Sequence, residues 1–136
     1  MSIQLIRPVT IKALVTDGLK DRLNTDMREA IKVLEEETAR LDSEVKRAQL
    51  MGNIPSQQLL QLNQVIAQEK AKRADRKAQL EEEIQAVAAL PLGSEIVQGQ
   101  AQSLTTVAVG DDLEAALGVE IVVQDGKIIE IREGVK

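Results

Sequence analysis

The sequence contains no cysteine, no histidine and no phenylalanine, tyrosine or tryptophan among its 136 residues. Without cysteine the chain has no disulfide framework, no thiolate nucleophile and no thiolate-based metal site. Without histidine it lacks the side chain that most often serves as general acid or base and as a metal ligand. Without aromatic side chains it has no stacking platform for bases and no aromatic anchor for a binding hot spot. These absences favour a non-enzymatic protein and predict no cofactor.

Charge and hydropathy add a second set of limits. The formal net charge is -5, and the acidic excess is concentrated after residue 90. An acidic C-terminal part disfavours contact with phosphate backbones. The sequence has no charged segment followed by an apolar segment at its start, and no apolar run of transmembrane length. We therefore expect a cytoplasmic protein that does not contact membranes, built as one domain or as one domain with a projecting arm.

A long helix is predicted from residue 17 onward. Thr16 is a suitable N-cap, since its hydroxyl can accept a hydrogen bond from a free amide of the first turn. Further along, apolar residues recur in alternating steps of four and three, which is the spacing of a coiled-coil seam. This seam consists of Met27, Ile31, Leu34, Thr38, Leu41, Val45 and Ala48. An ordinary amphipathic helix is the alternative, but the length and the charged flanks favour a coiled coil.

The stretch from Gly52 to Pro55 predicts a turn into a second helix. Glycine closes helices readily, and proline fits the first turn of the next one, with Asn53 or Ser56 as its cap. The turn predicts an antiparallel hairpin whose helices face each other in a defined register. In that register Glu35, Glu36 and Glu37 face Lys70, Lys72 and Arg73, and Glu81, Glu82 and Glu83 lie near Lys20, Arg22 and Arg28.

Alternating apolar residues predict strands at both ends of the chain. Residues 9–15 and 105–109 have the period of a strand, and Asp125-Gly126 between two apolar runs is a strong β-hairpin signal. We predict an α+β fold in which a long antiparallel coiled-coil helical hairpin projects from a small antiparallel β-sheet or partly closed barrel. Residues 1–16 and 91–136 form the β module, and residues 17–90 form the hairpin with its turn near residues 52–55.

The chain resembles the YlqD family of uncharacterised bacterial proteins. The resemblance is carried by Val9-Thr10-Ile11-Lys12, by Val15-Thr16-Asp17, by the charged helical middle, and by the closing segments Val109-Gly110-Asp111 and Glu120 to Ile131. It spans most of the chain. Because the family carries no assigned activity, the resemblance implies no functional residues.

Two charged groups are candidate sites. Asp111, Asp112 and Glu114 form a tight acidic group that is able to hold Mg²⁺ or Ca²⁺ through oxygen. The spacing of an EF-hand loop is absent, so we favour helix capping and expect no metal. The basic stretch that contains Lys70, Arg73 and Lys77 is a candidate phosphate contact, but pairing with the acidic run of the first helix is the favoured interpretation.

Two apolar groups are candidate contact surfaces. Leu50, Met51 and Ile54 lie at the predicted tip, where they either dock a protein partner or plug the end of the hairpin core. Small residues recur on the second helix in steps of four and three, namely Ala67, Ala71, Ala74 and Ala78. This alanine row either packs inside the hairpin or forms a contact between copies, and we favour self-association.

These observations lead to one functional hypothesis and one alternative. The hypothesis is a non-enzymatic interaction or scaffold protein that acts through its coiled-coil hairpin and forms a homo-oligomer. The alternative is an RNA- or ribosome-associated factor that contacts phosphates through the basic middle of the second helix. The acidic charge balance and the missing aromatic residues make nucleic acid the less favoured partner.

Overall fold

The computed structural model describes residues 1–134 as an α+β protein, which confirms the predicted fold class. The elements in chain order are β1 (Ser2–Leu14), α1 (Asp17–Met51), α2 (Ser56–Ala88), β2 (Glu95–Ala108), α3 (Leu113–Leu117), β3 (Val119–Gln124) and β4 (Lys127–Glu133). Within the described part of the chain, no helix is both long and apolar enough to cross a membrane.

The chain divides into two compact units. The first, here called the sheet unit, comprises Met1–Asp21 and Leu90–Lys136. The second, here called the hairpin unit, is Arg22–Ala89. Helix α1 begins in the sheet unit and continues through the hairpin unit, and α2 lies almost wholly in the hairpin unit.

The four strands form one open sheet in the order β2-β1-β3-β4. The pairs β1–β2 and β3–β4 are antiparallel, but β1 and β3 are parallel from Val9 opposite Val119 to Ala13 opposite Val123. The sheet is therefore mixed, and the prediction of an antiparallel sheet or partly closed barrel was wrong in this respect. The reason is the connection through α3. It starts where β2 ends, beside the beginning of β1, and crosses β1, so β3 runs in the same direction as β1.

Both long strands are continuous where the sequence suggested interruptions. Strand β1 runs through Pro8, and β2 runs from Glu95 to Ala108 with one irregularity opposite Ile11 and Lys12. Proline is tolerated near a strand edge, and β3 begins to pair with β1 only at Val9. One side of β1 is therefore still free at Pro8.

The core of the sheet unit is small and aliphatic. Its buried side chains are those of Val9, Ala13, Val15, Leu19, Val119 and Val122. The hydroxyl of Thr16 accepts a hydrogen bond from the Leu19 amide at 3.1 Å, so the predicted N-cap is confirmed. The predicted β-hairpin is confirmed as well, since Asp125 and Gly126 both have positive φ and join β3 to β4.

In the hairpin unit, α1 and α2 are separated at residues 52–55, as predicted. Gly52 has φ of 68°, a conformation that favours glycine and ends α1. Pro55 occupies the N-cap position of α2 and no side chain caps the helix, so neither Asn53 nor Ser56 has the predicted capping role. Ser56 is already the first helical residue. Every residue of the α1 seam is buried or half-buried, and the Thr38 hydroxyl donates to the Leu34 carbonyl at 2.9 Å.

Candidate functional site

The middle of α2 faces α1 with basic residues instead of apolar ones. Ile66 and Leu80 are buried in the hairpin, and the positions between them with seam spacing are Lys70, Arg73 and Lys77, all half-buried. Their steps are four, three, four and three, so they continue the same helix face. In this part of α2 the apolar residues with seam spacing are the alanines, so an apolar pattern alone does not indicate the face that contacts α1.

Each of the three basic residues makes an ion pair with a carboxylate of α1. The pairs are Lys70 Nζ–Asp42 Oδ1 at 2.6 Å, Arg73 Nε–Glu37 Oε2 at 2.8 Å and Lys77 Nζ–Glu35 Oε1 at 3.1 Å. The residue numbers fall along α1 as they rise along α2, so the helices are antiparallel. The predicted pairing of an acidic α1 with a basic α2 is present, and these cations are bound within the chain.

These pairs agree with the predicted register only in part. Glu37 pairs with Arg73, which belongs to the group predicted to face it, but Lys70 pairs with Asp42 and Lys77 pairs with Glu35. Lys72 pairs with Glu69 on its own helix, and the ion pair of Glu83 is with Arg76. Helical side chains lean toward the N-terminus of their own helix. In an antiparallel hairpin, a side chain on α2 therefore leans toward the turn and meets an α1 residue nearer to that turn.

Arg73 is the most connected of the three basic residues. Its guanidinium donates to Glu37, to the Glu69 carboxylate at 2.9 Å and to the Glu69 carbonyl at 3.0 Å. Hydrogen bonds to Glu69 and then Glu37 raise the pKa of Arg73, and hydrogen bonds from Arg73 and then Lys72 lower the pKa of Glu69. The arrangement favours the charged forms of Arg73 and Glu69 and fixes the Arg73 side chain along the seam.

The alanine row lies beside the seam and not in it. Ala67, Ala71, Ala74 and Ala78 are all exposed, so they do not bring α1 and α2 together. Three of them line a cavity of about 590 Å³ with Leu34, Thr38 and the stems of the basic residues. The small side chains leave this cavity open to solvent.

Two further cavities extend the first into a continuous groove along one side of the hairpin. A cavity of about 420 Å³ shares Ala67 and Lys70 with it, and a cavity of about 350 Å³ shares Glu35 and Lys77. On α1 the lining runs from Arg28 to Gln49, which at 1.5 Å per residue is about 30 Å. We call this the hairpin groove, and its length suits a helix.

Apolar side chains are exposed near the turn of the hairpin. Leu50 is 87% exposed and Met51 59% exposed, while Ile54 is half-buried. Leu50 and Met51 therefore do not plug the hairpin core, which was one of the two interpretations. Leu60 on α2, 58% exposed, adds a residue that the sequence analysis did not single out. No periodic signal marks it, since it is one position beyond the half-buried Leu59.

The acidic group after β2 has local structural roles. Asp112 is the N-cap of α3 and accepts a hydrogen bond from the Ala115 amide at 3.3 Å. Asp111 accepts from the Ala108 amide at 2.8 Å and closes the turn that follows β2. Over residues 1–134, no group of three histidine, cysteine, aspartate or glutamate side chains is placed to hold a metal ion.

A charged cluster on the sheet joins all four strands. Arg132 donates to both carboxylate oxygens of Glu95, at 2.8 and 2.7 Å, and to Glu130 at 3.0 Å. Lys12 pairs with Glu120 at 2.9 Å, and Glu120 also meets Arg132 at 3.4 Å. A hydrogen bond from Arg132 lowers the pKa of Glu95, and one from Lys12 lowers the pKa of Glu120. No sequence signal marks this cluster, because its members are scattered along the chain.

The fold and most of the chain have counterparts among known proteins. A profile of the YlqD family, described as YlqD protein, matches residues 3–132. The chain belongs to the YlqD family. It is 30% identical over 131 residues to the uncharacterized protein YlqD of Bacillus subtilis (strain 168), covering 96% of this chain and 98% of that one. It also resembles the crystal structure of a protein of unknown function from Synechococcus sp. WH 8102. That match has 26% identity, a TM-score of 0.84 and coverage of 98% of each chain.

Proposed function

We propose that this YlqD-family protein is a non-enzymatic interaction scaffold. In this proposal, copies of the chain associate through the hairpin groove, and the exposed tip residues Leu50 and Met51 contact a protein partner. A cytoplasmic location is part of the proposal, because a chain without cysteine needs no oxidising compartment to fold.

The hairpin groove is the observation that carries the proposal. It is about 30 Å long by helix geometry, and its floor is made of Leu34, Thr38 and the exposed alanines Ala67, Ala71 and Ala74. An apolar groove lined by small side chains admits a further helix at short range. The α2 seam beside the groove has the half-buried Lys70, Arg73 and Lys77 in place of apolar residues. A further helix bound in the groove therefore adds apolar contact that this seam lacks.

A second hairpin is the occupant that fits the charges of the groove. The α1 wall carries Glu35 and Asp42 with Arg28 and Lys46, and the α2 wall carries Lys70, Arg73 and Lys77 with Glu81. In a contact whose twofold axis runs along the groove, the α1 wall of each copy faces the α2 wall of the other. Glu35 and Asp42 of one copy then lie opposite Lys77 and Lys70 of the other, and Arg28 lies opposite Glu81, so opposite charges meet.

Oligomeric mass measured by light scattering with refractive-index detection tests this contact, since the chain has no aromatic absorbance. We expect the wild type to exceed the mass of one chain in a concentration-dependent manner. The double substitution Ala71→Glu and Ala74→Glu places two charges in the groove and should lower the mass. Ala86→Glu is the matched control, because Ala86 is exposed on the same helix and does not line the groove. Equal masses for the groove variant and the wild type contradict the proposed contact.

The tip contact is tested separately by affinity capture from an extract of the native cell. Leu50→Gln with Met51→Gln should abolish the recovery of a partner that the wild type retains, since exposed apolar side chains supply the contact. Val65→Gln is the control, because Val65 is an exposed apolar residue of α2 away from the turn. Retention of the same partner by the tip variant removes the tip from the proposal.

The RNA- or ribosome-associated alternative has less support. Its candidate contacts Lys70, Arg73 and Lys77 each pair with a carboxylate of α1, so phosphate has to displace these partners. Salt-dependent RNA binding that weakens in Lys70→Glu and Arg73→Glu would favour this alternative. The absence of binding at low salt would remove it.

A further inference from the structure

One edge of the sheet is open along a long strand. Strand β2 has 14 residues and pairs on one side only, with β1. The connection through α3 crosses β1 to reach β3, so it does not follow the outer side of β2. The Ala116 carbonyl of α3 accepts a hydrogen bond from Arg7, whose Nε donates to Ser103, which places α3 over a face of the β1–β2 pair. Over residues 1–134, the outer side of β2 therefore has no strand partner and forms an open edge.

This edge lacks the charges that usually protect exposed strands. Natural sheets keep their edges from pairing with other chains by means of charged residues, proline, short strands or bulges. Between Ile96 and Gly110 the sequence has no charged residue and no proline. The opposite edge, β4, carries Lys127, Glu130, Arg132 and Glu133 within seven residues. The β4 edge is therefore protected by charged side chains, whereas the β2 edge is not.

The regular part of β2 has a self-complementary pattern. The one bulge lies at Gln98, between the pairs Ile11–Gly99 and Lys12–Val97, and leaves Gly99 to Ala108 regular. In the segment Gly99–Ser103, Gly99, Ala101 and Ser103 share one face and Gln100 and Gln102 the other, and both glutamines are exposed. Glutamine is both donor and acceptor, so it can satisfy another glutamine across a strand pair. Small residues on the other face leave no steric conflict.

We infer that β2 pairs antiparallel with β2 of a second copy, which joins the two sheets edge to edge into one eight-stranded sheet. A twofold axis perpendicular to the sheet brings the same face of each copy to the same side. Glutamines then meet glutamines or Leu104, and small residues meet small residues. No charged residue of either regular segment opposes a like charge.

The inferred contact is independent of the hairpin groove. It uses the main chain of the sheet unit, whereas the groove belongs to the hairpin unit. A variant of one surface leaves the other intact, so the failure of one contact is distinguishable from the failure of the other.

Charge placed on the β2 edge tests the contact directly. Gln100→Lys with Gln102→Lys sets like charges against each other across the twofold axis and should lower the oligomeric mass. Gln100→Glu with Gln102→Glu should do the same, and a mixture of the two variants should recover association between unlike chains. All four substitutions are at exposed positions, and unchanged far-ultraviolet circular dichroism will show that the fold is retained. Ile129→Lys on the β4 edge, also exposed, is the control and should leave the mass unchanged.

Distances between spin labels give the register of the pair. The chain has no native cysteine, so a single cysteine carries the only label in each copy. We expect labels at Gln100, Gln102 and Leu104 to report short separations between copies. The separation along the strand should grow by about 6.8 Å for each residue away from the twofold axis, twice the rise of an antiparallel strand.

Three results would overturn the inference. The first is an oligomeric mass that is the same in the wild type and in both charged edge variants. The second is a set of β2 labels whose separations are no shorter than that of a label at Ile129, or that do not vary with position along β2. A partner other than a second copy would show itself as a mass increase only in the presence of cell extract, and this also overturns self-pairing.

Discussion

Glu120 connects two cations of the sheet and makes stability depend on pH. Its side chain is only 15% exposed and accepts from Lys12 and Arg132. The hydrogen bond from Lys12 lowers the pKa of Glu120. A separate hydrogen bond from Arg132 to the neighbouring Glu95 lowers the pKa of Glu95. A carboxylate whose pKa is lower in the folded state stabilises the fold above its unfolded pKa, about 4.3 for glutamate. That contribution is lost as the pH falls through the folded pKa.

We therefore expect the contribution of Glu120 and Glu95 to the free energy of unfolding to be steady between pH 7 and pH 5. This contribution should decrease once the pH falls below the ordinary pKa of glutamate. Urea unfolding followed by far-ultraviolet circular dichroism at several pH values measures this. Glu120→Gln should be less stable than the wild type at pH 7, and the difference should shrink toward pH 3. A difference that stays constant over this range would show that Glu120 is not a source of the pH dependence.

Leu80 tests how much of the hairpin stability comes from its few buried side chains. It is 3% exposed and terminates the basic stretch of the α2 seam. Leu80→Ala should lower the free energy of unfolding by about 2–4 kcal/mol, through lost transfer free energy and the remaining cavity. Leu60→Ala is the matched control, since Leu60 is exposed and should change stability by less than about 0.5 kcal/mol. Equal effects of the two substitutions would mean that the hairpin core is not where the structure places it.

The elements themselves were largely predictable from local sequence signals. Thr16, Gly52 and Asp125-Gly126 mark a helix start, a helix end and a β-turn because each needs a particular backbone geometry. The parallel pairing of β1 and β3 was not predictable, because strand alternation does not encode which strands are neighbours. The basic seam of α2 was also missed. Lys70, Arg73 and Lys77 have the spacing of a seam, but a pattern of apolar residues does not include them. They are recognised as seam residues only when basic side chains opposite acidic ones are counted as seam positions.

The seam ion pairs should specify how α1 and α2 align. Arg73→Glu sets a carboxylate against Glu37 and Glu69 and should lower the urea midpoint of the hairpin. Glu37→Arg alone should lower it too, because it faces Arg73. The double variant with both exchanges restores opposite charges across the pair and should recover part of the loss. Additive losses in the double variant would show that Arg73 and Glu37 do not interact in solution.

At the scale of the whole molecule, large apolar side chains are exposed in both units. Large aliphatic side chains are exposed on the sheet at Ile3, Ile6, Leu104 and Ile131, and on the hairpin at Val33, Leu50 and Val65. Membership of the YlqD family and the similarity to the Synechococcus protein establish the fold. The descriptions of these relatives name no activity, so contacts with other chains are what we propose to test first.

A chain with two independent contacts of twofold symmetry assembles beyond a dimer, because each copy has one partner at each surface. We expect wild-type protein at high concentration to exceed the mass of two chains. The groove variant Ala71→Glu with Ala74→Glu should stop at two chains joined through β2, and the edge variant Gln100→Lys with Gln102→Lys should stop at two chains joined through the hairpin. The variant with all four substitutions should be monomeric at every concentration. If the wild type never exceeds the mass of two chains, only one of the two contacts forms in solution. The contact that forms is then the one whose variant is monomeric.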